Sequence, residues 1–468
     1  MRAYFHGIVC FVSLIVCSTN ALLGQELLWK AAAAKAVITP EVKLWMAGYA
    51  ARKGPAEGKL QDLFAKTLIL EDAQGVRFVW VTMDLIGVPK SLRLEVERRA
   101  EEEFDLPPSH LLMNASHTHC GPMIRTYQPA GENRPEMIAY SSIPAEQHEQ
   151  RIKETREYRQ FLADQMLALI GRAIKDLRPA RLLQSQAKCG FAMNRRLPRG
   201  SSFINSPNPS GPVDHSVPVL QVLGADDQKL AVLFSYACHN TTLGVMQFNG
   251  DYAGYAQQYL EEDHPGMIAL FALGCGGDQN PYPRRLIPYV ERHGRALATA
   301  VEAALIADPQ AVVGSIRAKL DYATLDYGRL PTKEELLRKS QSSDKYDSRH
   351  AEFLLEDLKH VGKLPTSYPC PVQVVSLGDD LTMIAIGGEV VIDYAVRLKR
   401  EVDRKNLWVL GYSNDVFAYT PSRRVVLEGG YEGATSMRFP RENLHPAPWA
   451  PTIEQRIIGK VFELLKNQ

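Results

Sequence analysis

Cysteine is scarce in this chain, seven in 468 residues, and the seven form neither a CxxC pair nor a regular spacing. That excludes a disulfide-stapled scaffold and a zinc-ribbon module. An excess of positive charge is also missing: 54 Lys and Arg stand against 53 Asp and Glu. With no basic face to offer a phosphate backbone, nucleic acid is excluded as a partner. There is no internal repeat, no low-complexity tract and, beyond the N-terminal leader, no apolar run long enough to span a membrane. What is present is an average balance, 45% hydrophobic and 23% charged, which rules out disorder and predicts a folded chain with a sizeable core.

The N-terminus departs from that average. Arg2 precedes the apolar run Gly7 to Cys17, and Ser18-Thr-Asn-Ala21 follows it. The run is shorter than the ~17 to 25 residues of a membrane-crossing helix, and Ala21 offers a small residue for cleavage. Residues 1–25 are expected to be a secretory signal peptide and 26–468 the mature, exported protein, periplasmic or extracellular. Loss of Cys10 and Cys17 with the leader leaves 7 − 2 = 5 cysteines, so at least one thiol has no partner within the chain.

Five near-continuous apolar runs of strand length recur, each followed by polar or small residues: Arg77 to Asp84, His110 to Asn114, Leu230 to Tyr236, Met267 to Ala272 and Leu381 to Ile386. A sixth, Leu407 to Leu410, leads to Ser413 and Asn414. Such runs suit strands buried on both faces. Helical candidates lie between them, at Leu92–Glu103, Glu146–Asp176, Tyr252–Glu262, Val290–Leu305, Glu334–Leu358 and Ile453–Leu465. The expected fold is α/β, with mixed, largely buried sheets flanked by helices in one large catalytic domain. Ligands in such folds bind beyond the carboxyl ends of strands. The charged stretch Lys333 to Lys363 is expected to be a solvated helical excursion.

The sharpest local signal is Ser116-His117-Thr118-His119 at a strand end. In extended chain, residues i and i+2 share a face, so two imidazoles can converge. His239 also follows a buried run, and Glu389 follows another in Gly387-Gly388-Glu389. Two histidines and one carboxylate make a catalytic zinc set with an open position for water. The turn Gly274-Cys-Gly-Gly-Asp278-Gln-Asn280-Pro281 lacks the spacing and the Lys of a phosphate loop. Its glycines are expected to let backbone approach a ligand and aim Asp278 or Asn280 into the site. Asn114 and Asn240 fit a glycosylation pattern, but both fall inside the proposed site.

Together these stretches resemble the neutral/alkaline, non-lysosomal ceramidases, zinc-dependent amidases that split the N-acyl bond of ceramide. The resemblance runs from Ala47-Gly48-Tyr49-Ala50 to Tyr431-Glu-Gly-Ala-Thr-Ser436. It implies one zinc ion per chain, held by His117, His239, Glu389 and Tyr419. It further implies that His119 works in catalysis, that Arg195 of Asn194-Arg195 is an active-site arginine, and that Tyr431 stands on the substrate side. Where the family has a serine nucleophile this chain has Asn280, and an amide cannot attack a carbonyl. The expectation is therefore attack by metal-activated water, with Arg195, Tyr431 and Asn280 holding the carbonyl oxygen and His119 serving the leaving amine. The substrate class is a small-molecule or lipid N-acyl compound, ceramide or a relative. The family's C-terminal immunoglobulin-like domain is expected to be absent.

Two rivals remain. In a cysteine hydrolase, Cys120 or Cys275 would be the nucleophile. In a catalytically silent binding protein, the fold and metal persist without turnover. Positions near His119, His239 and Asp278 make Cys120, Cys238 and Cys275 read as small buried neighbours of a metal centre, not staples.

Overall fold

The computed structural model describes residues 29–131, 133–138 and 142–468, so the leader read over residues 1–25 lies outside the described residues. The larger sheet is built from β1 (Trp29–Val37), β2 (Phe64–Glu71), β3 (Arg77–Met83), β4 (Leu111–Ala115), β5 (Arg178–Lys188), β6 (Ser216–Gly224), β7 (Lys229–Tyr236) and β8 (Ile268–Leu273). Their order is β8-β7-β6-β5-β1-β2-β3-β4, with Gln310–Val312 also paired to β5. A second sheet follows the order β9 (Ile316–Asp326), β10 (Ser367–Leu377), β11 (Leu381–Ile386), β12 (Leu407–Leu410). Pairing is antiparallel except at β3/β4, β7/β8 and β11/β12.

Alternation along single strands shows why the apolar runs are continuous. On β3, Val79 and Val81 face one core while Phe78 and Trp80 face another. The first core receives α1 (Lys90–Phe104), α2 (His148–Lys175), α3 (Asp251–Asp263) and α4 (Ile287–Ile306). The second is shared with the other sheet, through Val375, Leu377, Met383 and Ala385. On that sheet's far side, Val372, Val374, Ile384 and Ile386 pack against Asp393–Glu401 and Ile453–Lys466. The layers are thus helices, sheet, sheet, helices. Where strands lie between two layers they are buried on both faces, and side chains of either parity must be apolar.

Several strands have no counterpart among the continuous runs. On β5 and β9, buried and exposed positions alternate or mix, so their hydrophobicity is diluted by half and falls below the continuous-run signal. The region Lys333–Lys363 also differs from expectation. It holds two helices, Lys333–Lys339 and Lys345–Val361, parted where Asp344 caps the second by accepting from the main-chain N–H of Tyr346 and Asp347. Nor is it wholly solvated: Leu336, Ala351 and Leu354 bury against Tyr127 and Leu444. Among the described residues no helix is long and apolar enough to cross a membrane.

The two sheets join at one end. β4 and β8 are opposite edges of the larger sheet, and the Asn114 amide spans them, accepting from the Leu273 N–H at 2.7 Å and donating to Gly411 O at 2.8 Å. Buried in that role, Asn114 is no glycosylation site.

Candidate metal and catalytic site

The three parallel pairs deliver the chemistry. β4 runs into His117 and His119, β7 into His239, β8 into Asp278 and Asn280, and β11 into Glu389. Main-chain bonds lace these segments together: His119 N to Asn240 O, His239 N to Gln279 O, Gly277 N to Val390 O and Glu389 N to Ala418 O. Glu389–Val390 also pairs in parallel with Tyr419–Thr420, setting Glu389 beside Tyr419. A Cβ at Gly277 would stand 2.7 Å from the Glu389 carbonyl oxygen, so the glycine turn serves approach of backbone to backbone, not of backbone to ligand.

His117 adopts a left-handed φ of 61°, a conformation that costs about 1–3 kcal/mol in a non-glycine residue and gathers at functional sites. Its Nδ1 lies 2.6 Å from Ile86 O, and Nδ1 of His239 lies 2.7 Å from Gly276 O. A carbonyl only accepts, so both rings carry their proton on Nδ1 and present a bare Nε2. The two Nε2 atoms stand 3.3 and 3.4 Å from Glu389 Oε2, and Tyr419 Oη is 3.4 Å from His239 Nε2. Glu389 Oε1 is taken by Arg441, whereas Oε2 is buried with no hydrogen-bond donor.

An orphaned carboxylate oxygen between two bare imidazole nitrogens is costly unless something cationic sits there. At the usual zinc–ligand distance of about 2.0–2.1 Å a tetrahedral edge is about 3.4 Å, which matches these separations. The donor set therefore fits a zinc ion. Carbonyl bonds to the outer ring nitrogens are what fix metal-binding histidines.

His119 differs from its neighbours. Its Nε2 is 3.1 Å from that of His117, but its buried Nδ1 meets no partner. It too has a ring nitrogen within 4.8 Å of those of His117 and His239, yet without a carbonyl anchor it lacks their fixed tautomer. Tyr49 packs against it with ring centroids 4.9 Å apart. Gly48, at φ 95°, lets the ring lie there, since a Cβ would be 2.6 Å from its Cγ. Burial lowers the basicity of His239 to about 3 and that of His119 well below 6.5, so both are neutral near pH 7. Burial opposes the charge on Glu389, but the Arg441 guanidinium on its Oε1 favours that charge, and the carboxyl is held well below the usual range.

Behind Tyr419 lies a second group. Arg195 donates from Nε to Glu432 at 2.9 Å, from Nη1 to Asn280 Oδ1 at 3.3 Å and from Nη2 to Tyr419 Oη at 2.8 Å. Arg196 shares Glu432, at 2.7 Å. Because a guanidinium has only donors, Arg195 fixes the Asn280 amide: Oδ1 faces it and Nδ2 turns to Asn205 and Tyr282. Asp278 accepts from Asn194 and from the Ile392 N–H, each at 2.9 Å, and burial pushes its carboxyl up to about 6.

A cavity of about 290 Å³ opens over the cluster, lined by His117, His119, Glu389, Tyr419 and Tyr431 and also by Tyr49, Arg125 and Arg441. All eight sequence-derived residues thus gather in one region, but Arg195 and Asn280 stand behind Tyr419 and do not line the cavity, contrary to the carbonyl-holding role expected of them. Arg441, Glu432 and Tyr412, whose Oη is 3.2 Å from His239 Nδ1, escaped sequence reasoning. Glu432 adjoins Tyr431, a usable hint; Arg441 lies in a loop after Pro440, with no strand-end signal.

All five described cysteines are free and buried. Cys120, pushed up to about 11 by burial, is no poised nucleophile.

A sequence model of the family described as neutral/alkaline non-lysosomal ceramidase, N-terminal, matches residues 31–282, more than half of the chain. Among solved structures, neutral ceramidase from Pseudomonas aeruginosa aligns with TM-score 0.67 at 18% identity, over 92% of this chain and 72% of that one. A structure described as ceramidase complexed with C2 aligns with TM-score 0.67 at 17% identity, over 92% and 73%. Curated proteins give no match by sequence. Glu389, Tyr419 and Tyr431 lie beyond the family-matched residues.

Proposed function

The chain belongs to the neutral/alkaline non-lysosomal ceramidase family, and from that membership we propose that it is an exported, zinc-dependent hydrolase of an N-acyl amide bond, in ceramide or a related compound. The observation that carries this reading is the buried, donorless Oε2 of Glu389 facing the bare Nε2 atoms of His117 and His239. Those three atoms and Tyr419 Oη would hold one zinc ion. When bound, zinc supplies Lewis acidity and lowers the pKa of water from 15.7 to about 7.

The chain's own residues supply the rest. His119 Nε2 would take the proton of the attacking water and return it to the leaving amine. Tyr431, on the cavity wall, would donate to the carbonyl oxygen as charge develops there, a contribution of about 3–4 kcal/mol for such a donor. Arg195 orients Tyr419 and Asn280 orients Arg195, so both act one step removed from the substrate. Asn280 occupies the position of the family's serine with its amide fully hydrogen bonded, which supports water as the nucleophile. The apolar leader of residues 1–25 supports export.

The bonded state of Asn280 also favours a second reading, a silent binding protein. One experiment separates the two: metal content and hydrolysis of N-acyl substrates, ceramide included, with and without chelator, for the wild type and His117→Ala. Stoichiometric zinc with chelator-sensitive turnover that His117→Ala abolishes supports the hydrolase. Zinc with no turnover of any N-acyl compound selects the binding protein, and a folded, metal-free protein overturns both.

A further inference from the structure

The cavity is small, and its wall continues beyond its mouth. At about 290 Å³ it stands at the low end of ligand sites, ~300–1,000 Å³, with room for an amide and the first carbons on either side. From the candidate metal position a row of rings leads outward. Centroids are 5.4 Å apart between Tyr419 and Tyr431, 6.1 Å between Tyr431 and Phe439, and 5.1 Å between Phe439 and Tyr346. Successive rings are tilted by 70°, 57° and 59°, so none covers its neighbour's face by stacking. Exposure rises from 4% at Tyr419 to 39% at Tyr431, and Phe439 and Tyr346 are half-buried. Phe439 lines the cavity together with Tyr431, so cavity and row are continuous.

The outer end of the row is held and closed by charge. Tyr346 stands in the first turn of the helix Lys345–Val361. Arg438 lies over both Tyr346 and Phe439, at 5.7 and 5.3 Å from their centroids, and is itself paired with Asp344 at 2.9 Å. This guanidinium is already matched; it clamps the two rings together and ends the apolar wall in an ion pair. With Tyr431 donating to the carbonyl oxygen and His119 serving the leaving amine, the acyl carbon faces Tyr431, and the chain it bears runs on to Phe439, away from His119 and Tyr49. The steps of 6.1 and 5.1 Å from Tyr431 to Tyr346 correspond to about nine bonds of extended chain, at about 1.2 Å per bond. Ring faces hold methylenes by dispersion and by the area they remove from water.

Resting on the hydrolase reading of this site, we propose that Phe439 and Tyr346 are specificity-determining residues that carry the acyl chain and set its length, so that the substrate is an N-acyl compound of medium chain, about eight to ten carbons. The test uses the protein as purified and N-acylethanolamines of four, six, eight, ten and twelve carbons, all kept monomeric, in calorimetric titrations and in kcat/KM. Affinity is expected to rise about twofold per methylene, as for a chain covered on one side, and to level off at about ten carbons. Phe439→Ala should cut the ratio of decanoyl to butanoyl affinity about tenfold. If that variant does not fold, Tyr346→Ala, which shortens the row by one ring, should bring the plateau down to about six carbons. Affinity that ignores chain length, that climbs undiminished to twelve carbons, or that keeps its profile in these variants overturns the acyl track and leaves the hydrolase reading standing. The expected length profile in binding, without turnover of any compound, upholds the track while the hydrolase reading fails.

Discussion

The front and the back of the site are built on opposite rules. In front, His117, His119 and Glu389 carry a left-handed backbone, an unpartnered Nδ1 and an orphaned Oε2. Behind, Arg195, Asn280, Glu432 and Asp278 each have the polar ends of their side chains matched to partners. Unsatisfied buried groups clustered at one point call for a ligand there, and satisfied networks make a rigid support for them. Under the proposed function the front is the place of chemistry and the back the place of stability.

Substitutions on the two sides should separate these roles. The largest expected effect is in front: Glu389→Gln removes the charge at the convergence point and should cut turnover about 10³-fold or more. Bound zinc, measured by elemental analysis, should fall with it while the metal-free melting temperature holds. A melting loss matching the activity loss would erase the distinction. Behind, Glu432→Ala leaves two buried guanidinium groups without their shared carboxylate and should cost about 3–5 kcal/mol of stability, read by urea denaturation. Retained stability would show that the network is not the support it is taken for.

The pH response contrasts the sides in sign. His239, at about 3 in the fold against about 6.5 unfolded, binds fewer protons when folded, so its contribution to stability falls as pH drops below about 6.5. Asp278, at about 6 in the fold against about 3.9 unfolded, binds more, so its contribution is greatest at low pH and is lost as pH rises from about 4 to 6. In metal-free protein, Asp278→Asn should steepen the acid loss between about pH 4 and 6, by up to ~1.4 kcal/mol per pH unit. An unchanged slope in urea titrations would contradict the assignment. The smallest effect is expected for Asn280→Ser, which keeps a polar group beside Arg195 and should alter turnover by less than about tenfold, since Asn280 stands a step from the substrate. A gain of a hundredfold would mean that a serine nucleophile had been restored and that water does not attack in its absence.

Much of this was legible in the chain. The continuous runs of β3, β4, β7, β8, β11 and β12 announce strands buried on both faces, and the polar residues just past them announce the site. β5 and β9 were not legible, because half-exposed strands dilute their own signal. Nothing local to Arg195 tells that it is buried; Glu432, 237 residues away, accounts for that. Arg441 gave no signal at all.

Sequence alone determined which side chains could do chemistry and that they follow strands, because strand propensity and the polar residue after it are local properties. Only the tertiary structure decided which strand ends meet. It curls the large sheet until Asn114 bridges its two edges, brings β11 and β12 against that seam, and puts Glu389 between two histidines while Asn280 falls behind Tyr419. Those choices depend on sheet order and long-range pairing, which no local stretch of residues encodes.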